Sequence, residues 1–450
     1  MKTLHLLLLG SISLLFAFSA CKKEEKAQPQ TTPASSGEPV IPTNVTPLDS
    51  PLILPTGKTM TSRSASGTVP IILVHGLFGW GPDELLGFNY WGGVDNIPKF
   101  LNDNGFPTYV TSVGPVSSNW DRAIELYYYI KGGYVDYGKA HSSKFGHLQN
   151  TSRYYPGVYP QWDAQHPIHL LGHSMGGTTV RKLVALLEKG DITEKTQPGH
   201  APLFDGGKTG WVRSVTTVST PHRGATLAYI LMDRFAPFVR DMLTSIAALG
   251  GLVPGVSDVY DFHLEQWGLS RTPGESFQAY SDRVYNSKIW HTNDYAGYDL
   301  APDPSLEISK TDITAPDIYY FSVSTRASNT GIITGWEYPR LDMFPIFIPL
   351  AFPVPVLMGI GNLERNEPGK VIFDAKWWPN DGVANTYGQE GPDNAVIRTY
   401  DPAKPLQKGV WNHLGLYNGY DHIDVIGIGT STDVRPFYLK IARLLQTVND

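Results

Sequence analysis

Three features of the sequence give an α/β architecture, a mainly parallel central sheet flanked by helices. Short, β-branched apolar runs alternate with stretches of helical periodicity, the pattern of a sheet buried on both faces. One such run passes directly through a Gly-x-Ser-x-Gly turn into a helix. No segment repeats at a fixed spacing, which removes solenoid and propeller folds.

Residues 69–74 (VPIILV) are too short and too β-branched for a helix and read as a buried strand ending at His75-Gly76. Residues 108–113 read as a second strand. A helix follows over 120–130, capped by Ser118 or Asn119. Residues 168–171 form a third strand, leading into GHSMGG and a helix that runs to about Lys189. In that helix Val180, Leu183, Val184 and Leu187 share one face, and Gly190 stops it. Strands are expected over 212–219 and 318–325, and a last helix over 435–448. Two stretches exceed a minimal α/β unit. Residues 232–251 read as a helical segment, with Phe235, Phe238, Met242, Leu243, Ile246 and Leu249 as its apolar residues. Residues 343–358 (MFPIFIPLAFPVPVLM) are apolar, but their four prolines forbid a regular helix or central strand.

Of 450 residues, 41% are hydrophobic and 17% charged, which is core-forming and excludes a disordered chain. Net charge is −6 with no basic run in the body, so nucleic acid is not an expected partner. The one cysteine, Cys21, precedes the body, which therefore has no internal disulfide, thiolate nucleophile or thiolate metal site.

Residues 1–20 have the form of an export signal. Lys2 is followed by an apolar run over 4–18, and Ser19 and Ala20 stand before Cys21. The run is short for a membrane span. Small residues before a lone cysteine resemble the bacterial lipoprotein lipobox, although Phe18 stands where an aliphatic residue is commoner. The resemblance implies cleavage before Cys21 and its acylation, hence an outer-membrane lipoprotein of the cell envelope. The alternative is an ordinary cleaved leader and a secreted chain. Residues 21–66, rich in Pro, Thr, Ser and Gln, read as a flexible tether to the folded body at 67–450.

The Gly172-x-Ser174-x-Gly176 turn explains its own spacing. Serine on a sharp strand-to-helix bend projects its hydroxyl above the sheet, and the helix N-terminus faces developing negative charge. A serine hydroxyl needs a base oriented by an acid. In this architecture, the α/β-hydrolase fold, both follow the serine, acid before base. His422 lies in a turn-rich loop before the last helix, with His413 as competitor. The acid is harder to choose from spacing. Asp381 in Pro-Asn-Asp-Gly precedes both histidines. Backbone donors for an oxyanion are expected at Met175 and at Leu77, in the loop after the first strand.

The body resembles the large-lid, zinc-containing true lipases of the staphylococcal and thermophilic bacillar group. The resemblance rests on VHGLFGWG, FNYWGG, LNDNGFPTY, GPVSSNWDRA, VDYGKAH, GHSMGG, STPHRG, VYDFHLEQWGL, PNDGVANT and GVWNHLGLYN, in that order along nearly the whole body. It implies a triad of Ser174, Asp381 and His422, a helical lid around 228–255, and water-insoluble acylglycerols or other carboxylic esters as substrates. It also implies a structural zinc on Asp121, His141, His147 and Asp294, two histidines and two carboxylates suited to a closed tetrahedral site. The family's calcium positions match Asp342, Asp424, Gly429 and Thr430. There Gly429 loses a carboxylate and Asp342 offers a new one, so calcium is left open, with altered affinity. The apolar tract at 343–358 departs from the family. Two rival readings stand beside the lipase. One is an esterase for short acyl chains or polyesters. The other is a surface lipoprotein that binds lipid or a host partner without catalysis.

Overall fold

The computed structural model describes residues 46–47, 52, 54, 68–231, 260–345, 347–348 and 363–448. In chain order the strands are β1 (Thr46–Pro47), β2 (Ile71–Val74), β3 (Thr108–Val110), β4 (Gly133–Asp136), β5 (Asn150–Tyr155), β6 (Ile168–His173) and β7 (Val212–Val218). They continue with β8 (Tyr319–Arg326), β9 (Ser328–Thr330), β10 (Glu337–Pro339), β11 (Ile397–Thr399), β12 (Trp411–Asn418) and β13 (Thr432–Asp433). Seven of them form the central sheet, in the order β11-β12-β8-β7-β6-β2-β3, and every pairing is parallel.

All six residues of β6 are buried, as a strand covered on both faces requires. On one face the sheet packs against helices Asn119–Lys131 and Met175–Lys189, through Ile124, Leu126, Val180, Leu183 and Leu187. On the other it packs against Ile97–Asp103 and Arg435–Gln446, through Leu101, Phe437, Ile441 and Leu445. The Ser118 side chain caps its helix by accepting from Asp121 N–H. Gly190 ends Met175–Lys189, its N–H bonding Leu186 O.

The second strand stops at Val110, short of the expected 113. Beyond it Thr111 still donates to Leu73 O, but Val113 N–H turns to the His75 ring. The last helix ends at Gln446. β4 and β5 form an antiparallel ribbon whose connection holds the helix Lys139–Phe145. A third apolar cluster, with Tyr260, Phe262, Trp267 and Tyr280, covers Met175 and Val116.

The tract read as tether is not free of the body throughout. β1 pairs with β13, and Leu52 is buried against the helix-covered face of the sheet. Most of the expected lid, residues 232–255, lies outside the described residues, as do Cys21 and residues 349–358 of the proline-rich tract. Of that tract Met343 is buried against Ala327. No helix among the described residues is long and apolar enough to cross a membrane.

Candidate active site

Ser174 sits between the last residue of β6 and the first of its helix, at φ 55° and ψ −130°. A non-glycine residue at positive φ stores about 1–3 kcal/mol of backbone strain. The strain is held by Ser174 N–H on Val218 O and by Gly177 N–H on Ser174 O. Two glycines are required by close approach. A Cβ on Gly176 would stand 2.1 Å from Val74 O, and one on Gly76 would stand 2.6 Å from Ser174 Cβ. The loop after β2 is thereby pressed against the serine.

His422 Nε2 lies 2.8 Å from Ser174 Oγ, and His422 Nδ1 lies 2.8 Å from Asp381 Oδ2. These three residues are 248 and 41 positions apart in sequence, and the structure brings them together. Asp381 is fully buried and saturated with donors. Its Oδ2 also accepts from Thr325 Oγ1 and Gln389 Nε2, and its Oδ1 from Val383 and Ala384 N–H. A carboxylate that only accepts fixes the imidazole tautomer, with the proton on Nδ1 and the Nε2 lone pair toward the hydroxyl. The competing His413 lies within β12 and bonds Ser324 Oγ instead.

A second chain runs behind this one. Gly76 N–H donates to Tyr90 Oη at 2.9 Å, Tyr90 O–H meets His173 Nδ1 at 2.6 Å, and His173 Nε2 meets His422 O at 2.8 Å. The carbonyl can only accept, so His173 carries its proton on Nε2 and accepts from tyrosine on Nδ1. Burial, with the neighbouring His422 second, holds His173 well below the usual histidine range. The ring stays neutral, as its two hydrogen bonds demand.

The neighbours of the expected oxyanion donors are engaged elsewhere. Gly76 N–H is engaged by Tyr90 and Phe78 N–H by Pro115 O, with Leu77 N–H between them. Met175 N–H is the first of its helix, where no acceptor exists within the helix.

Asp121, His141, His147 and Asp294 also converge, with donor atoms within 4.8 Å of one another. Asp121 comes from the first turn of Asn119–Lys131, and both histidines from the connection between β4 and β5. His141 Nε2 is 3.4 Å from Asp121 Oδ1 and 3.3 Å from Asp294 Oδ2. Two buried atoms of the set, Asp121 Oδ1 and His147 Nε2, make no hydrogen bond. His147 Nδ1 faces Leu148 O, which leaves Nε2 as the lone-pair side, and Gln266 Nε2 holds Asp121 Oδ2. Trp120 stacks flat on His141. Orphaned donor atoms meeting in a buried place suit a structural metal ion.

The residues considered for calcium are engaged with protein partners. Arg340 takes both oxygens of Asp342, through Nε and Nη2. Gly429 has Phe344 where a side chain would stand, and Thr430 Oγ1 accepts from Thr432 N–H. Asp424 Oδ2 accepts from Asp421 N–H, and burial first, with the neighbouring Asp421 carboxyl second, raises the Asp424 carboxyl to about 8.

Tyr90, His173, Thr325 and Gln389 were not singled out by sequence. Tyr90 and His173 lie inside FNYWGG and GHSMGG, but nothing in those strings states that they touch.

A parallel sheet with a strained serine at a strand-to-helix bend, an imidazole and a carboxylate in line, defines an α/β-hydrolase. The chain belongs to the family described as Lipase-like, C-terminal domain, which it matches over residues 67–447. It is 36% identical over 388 residues to a lipase of Staphylococcus epidermidis, covering 84% of this chain and 53% of that one. It thus spans about half the length of such staphylococcal relatives. The solved structure of EstA from Clostridium botulinum aligns with a TM-score of 0.81 and 38% identity over 98% of both chains. That of lipase 1 from Pelosinus fermentans aligns at 0.74 and 43%, covering 84% of this chain and 98% of that one.

Proposed function

We propose that the protein is an exported, lipid-anchored carboxylic-ester hydrolase of the triacylglycerol-lipase type. The observation that carries this is the line Ser174 Oγ, His422 Nε2, His422 Nδ1, Asp381 Oδ2, with both gaps 2.8 Å. The names of the relatives, lipase and lipase 1, favour long-chain esters over the short-chain or polyester alternative.

In the first step Ser174 Oγ attacks the ester carbonyl carbon while His422 Nε2 takes its proton. Leu77 and Met175 N–H groups receive the tetrahedral oxyanion. Collapse transfers the His422 proton to the leaving alcohol oxygen and leaves an acyl-serine. Water then attacks that ester, His422 takes its proton, and the proton returns to Ser174 as the acid leaves. Asp381 holds the imidazole and balances the positive charge it carries in each step.

The ion at Asp121, His141, His147 and Asp294 is read as zinc. Two imidazoles and two carboxylates match zinc's preferred four-fold donor set, and all four are taken from protein. It would tie the β4–β5 connection to the helix start at Asn119 and to Asp294, and takes no part in the proton steps. Anchoring rests on Cys21, which with the Ser19-Ala20 run before it suits acylation in a bacterial envelope.

The test is a series of esters from acetyl to long acyl, measured below and above each substrate's solubility limit, with Ser174→Ala alongside. The proposal expects a steep rise in rate once long-chain ester forms a separate phase. It expects Ser174→Ala to lose at least about 10⁴-fold while keeping its circular dichroism. Full activity in Ser174→Ala would overturn the triad. A rate confined to acetyl and butyryl esters would replace lipase by esterase.

A further inference from the structure

β9 and β10 form an antiparallel hairpin that leaves the carboxyl end of β8, the sheet edge on which Ser174 stands. Its base is tied to the segment that carries the triad acid. Ala327 N–H donates to Asn380 O, and Asn380 N–H to Ser328 Oγ. Glu337, 2% exposed, knots the two strands by accepting from Ser328 Oγ, Thr330 Oγ1 and Arg326 Nη2. The tip is closed by Gly331 N–H on Trp336 O and Gly335 N–H on Gly331 O. Docking through this tip therefore has little loop ordering to do.

The side chains at the tip are the opposite of its base. Ile332 is 103% and Ile333 98% exposed, Trp336 is 46% exposed, and Leu341 just past β10 is 101% exposed. The other exposed large hydrophobic residues described are isolated or paired along the chain. Here four fall within ten positions. Residues 331–336 (GIITGW) carry no charge, and Met343 and Phe347, further along the chain, lie against Gly382 beside Asp381.

We propose that the β9–β10 tip, with Ile332, Ile333 and Trp336, is a docking element for a neutral acyl-lipid surface. Its shape selects that occupant. The tip has no charge with which to complement a polar or charged partner. It is a narrow, convex, uncharged projection on a polar, fixed base. That form suits insertion between lipid headgroups, with the tryptophan at the headgroup level. Its attachment at Asn380 sets the hairpin at the edge from which an ester would reach Ser174. The purpose assigned to docking rests on the ester-hydrolase reading above, but the binding does not.

The experiment uses the full chain with Cys21→Ser, so that no acyl anchor contributes. Ser174→Ala is added for binding, so that no lipid is consumed. Partition onto phosphatidylcholine vesicles and onto a trioleoylglycerol emulsion is measured by sedimentation, with and without the pair Ile332→Ser and Ile333→Ser. Partition is expected to fall at least ten-fold. With Ser174 intact, turnover of a dissolved acetyl ester is expected to stay within two-fold, and turnover of the emulsion to fall with the partition. Unchanged partition overturns the proposal. So does a dimer that dissociates in the paired variant while partition holds, since the tip would then be an interface between copies. Lower partition together with no hydrolysis of any ester by the parent chain upholds the docking element and defeats the hydrolase reading instead.

Discussion

Around Ser174 every polar atom of the line has a partner, and a proton lies between each pair. Around Asp121, His141, His147 and Asp294 the same residue types meet differently. Imidazole nitrogens face carboxylate oxygens across 3.3–3.4 Å, and two of the set, Asp121 Oδ1 and His147 Nε2, make no hydrogen bond. The first arrangement can pass a proton along and be returned to its starting state. The second leaves two buried atoms that a bound cation would satisfy. Histidine and aspartate do not by themselves distinguish a relay from a metal seat. What separates them is whether lone pairs are matched with hydrogens or with other lone pairs.

The sharpest way to break the relay side of this contrast is Asp381→Asn. Three donors already point at Oδ2, so an amide that turns its NH₂ there meets them head-on. One that turns it to Oδ1 meets the Val383 and Ala384 amides instead. The imidazole then loses its tautomer. A kcat loss of about 10⁴-fold is expected, equivalent to about 5 kcal/mol, with a stability loss of about 1–3 kcal/mol from the unmatched donors. A loss under ten-fold would show that Asp381 does not orient the base.

The metal side should respond in the reverse sense. His147→Ala, or stripping by a strong chelator, is expected to lower the melting temperature by roughly 5–10 °C, the effect of a few kcal/mol in a domain of this size. Turnover per folded molecule at low temperature should hold. Elemental analysis should find about one zinc per parent chain and none in the variant. A fall in kcat at unchanged melting temperature would move the cluster into the reaction.

Much of this contrast could be read before any coordinates. The strand–turn–helix at Ser174 is a local feature, so its pattern lies within a few residues. The choice of Asp381 and His422 needed chain order and then resemblance, because their meeting depends on loops from three separate strands. Tyr90 and His173 lay beyond reach, since 83 residues separate them and only the fold states that they touch. Arg340 closing Asp342 was equally hidden, because an ion pair and a free ligand look the same in sequence. The tether was read from composition, and composition does not show that Leu52 finds a place in the core.

Tyr90→Phe tests whether the relay extends into the scaffold. Removal of one hydroxyl leaves Gly76 N–H without its acceptor and His173 Nδ1 without its donor, while volume is nearly conserved. Both ends of the broken chain lie on the site, one in the oxyanion loop and one at the backbone of His422. A kcat loss of about ten-fold is expected, roughly 1.4 kcal/mol, with KM for a dissolved ester little changed. An equal loss of KM and stability with unchanged kcat would make Tyr90 a packing residue only.

Glu125 sharpens the contrast from a third direction, because it is a buried carboxyl that neither relays nor ligates. Gly114 N–H donates to Oε2, and the Tyr137 hydroxyl lies 2.8 Å from Oε1. Burial pushes it up to about 8 against an ordinary 4.5, and its two hydrogen bonds do not offset the loss of solvent. Below pH 4.5 folded and unfolded chains both hold the proton. Between 4.5 and 8 the folded chain keeps a proton that the unfolded chain has released, so stability falls as pH rises through that window. The expected slope is about 1 kcal/mol per pH unit near pH 6–7. Glu125→Gln keeps one acceptor for Gly114 and one donor for Tyr137, as the neutral acid does, and removes the titration. Urea midpoints at pH 5, 6, 7 and 8 should therefore converge at low pH and separate at high pH, with the variant the more stable at pH 8. Parallel lines for parent and variant would mean that Glu125 is ionised in the folded chain. Its charge would then belong with the carboxylates of the neighbouring metal seat.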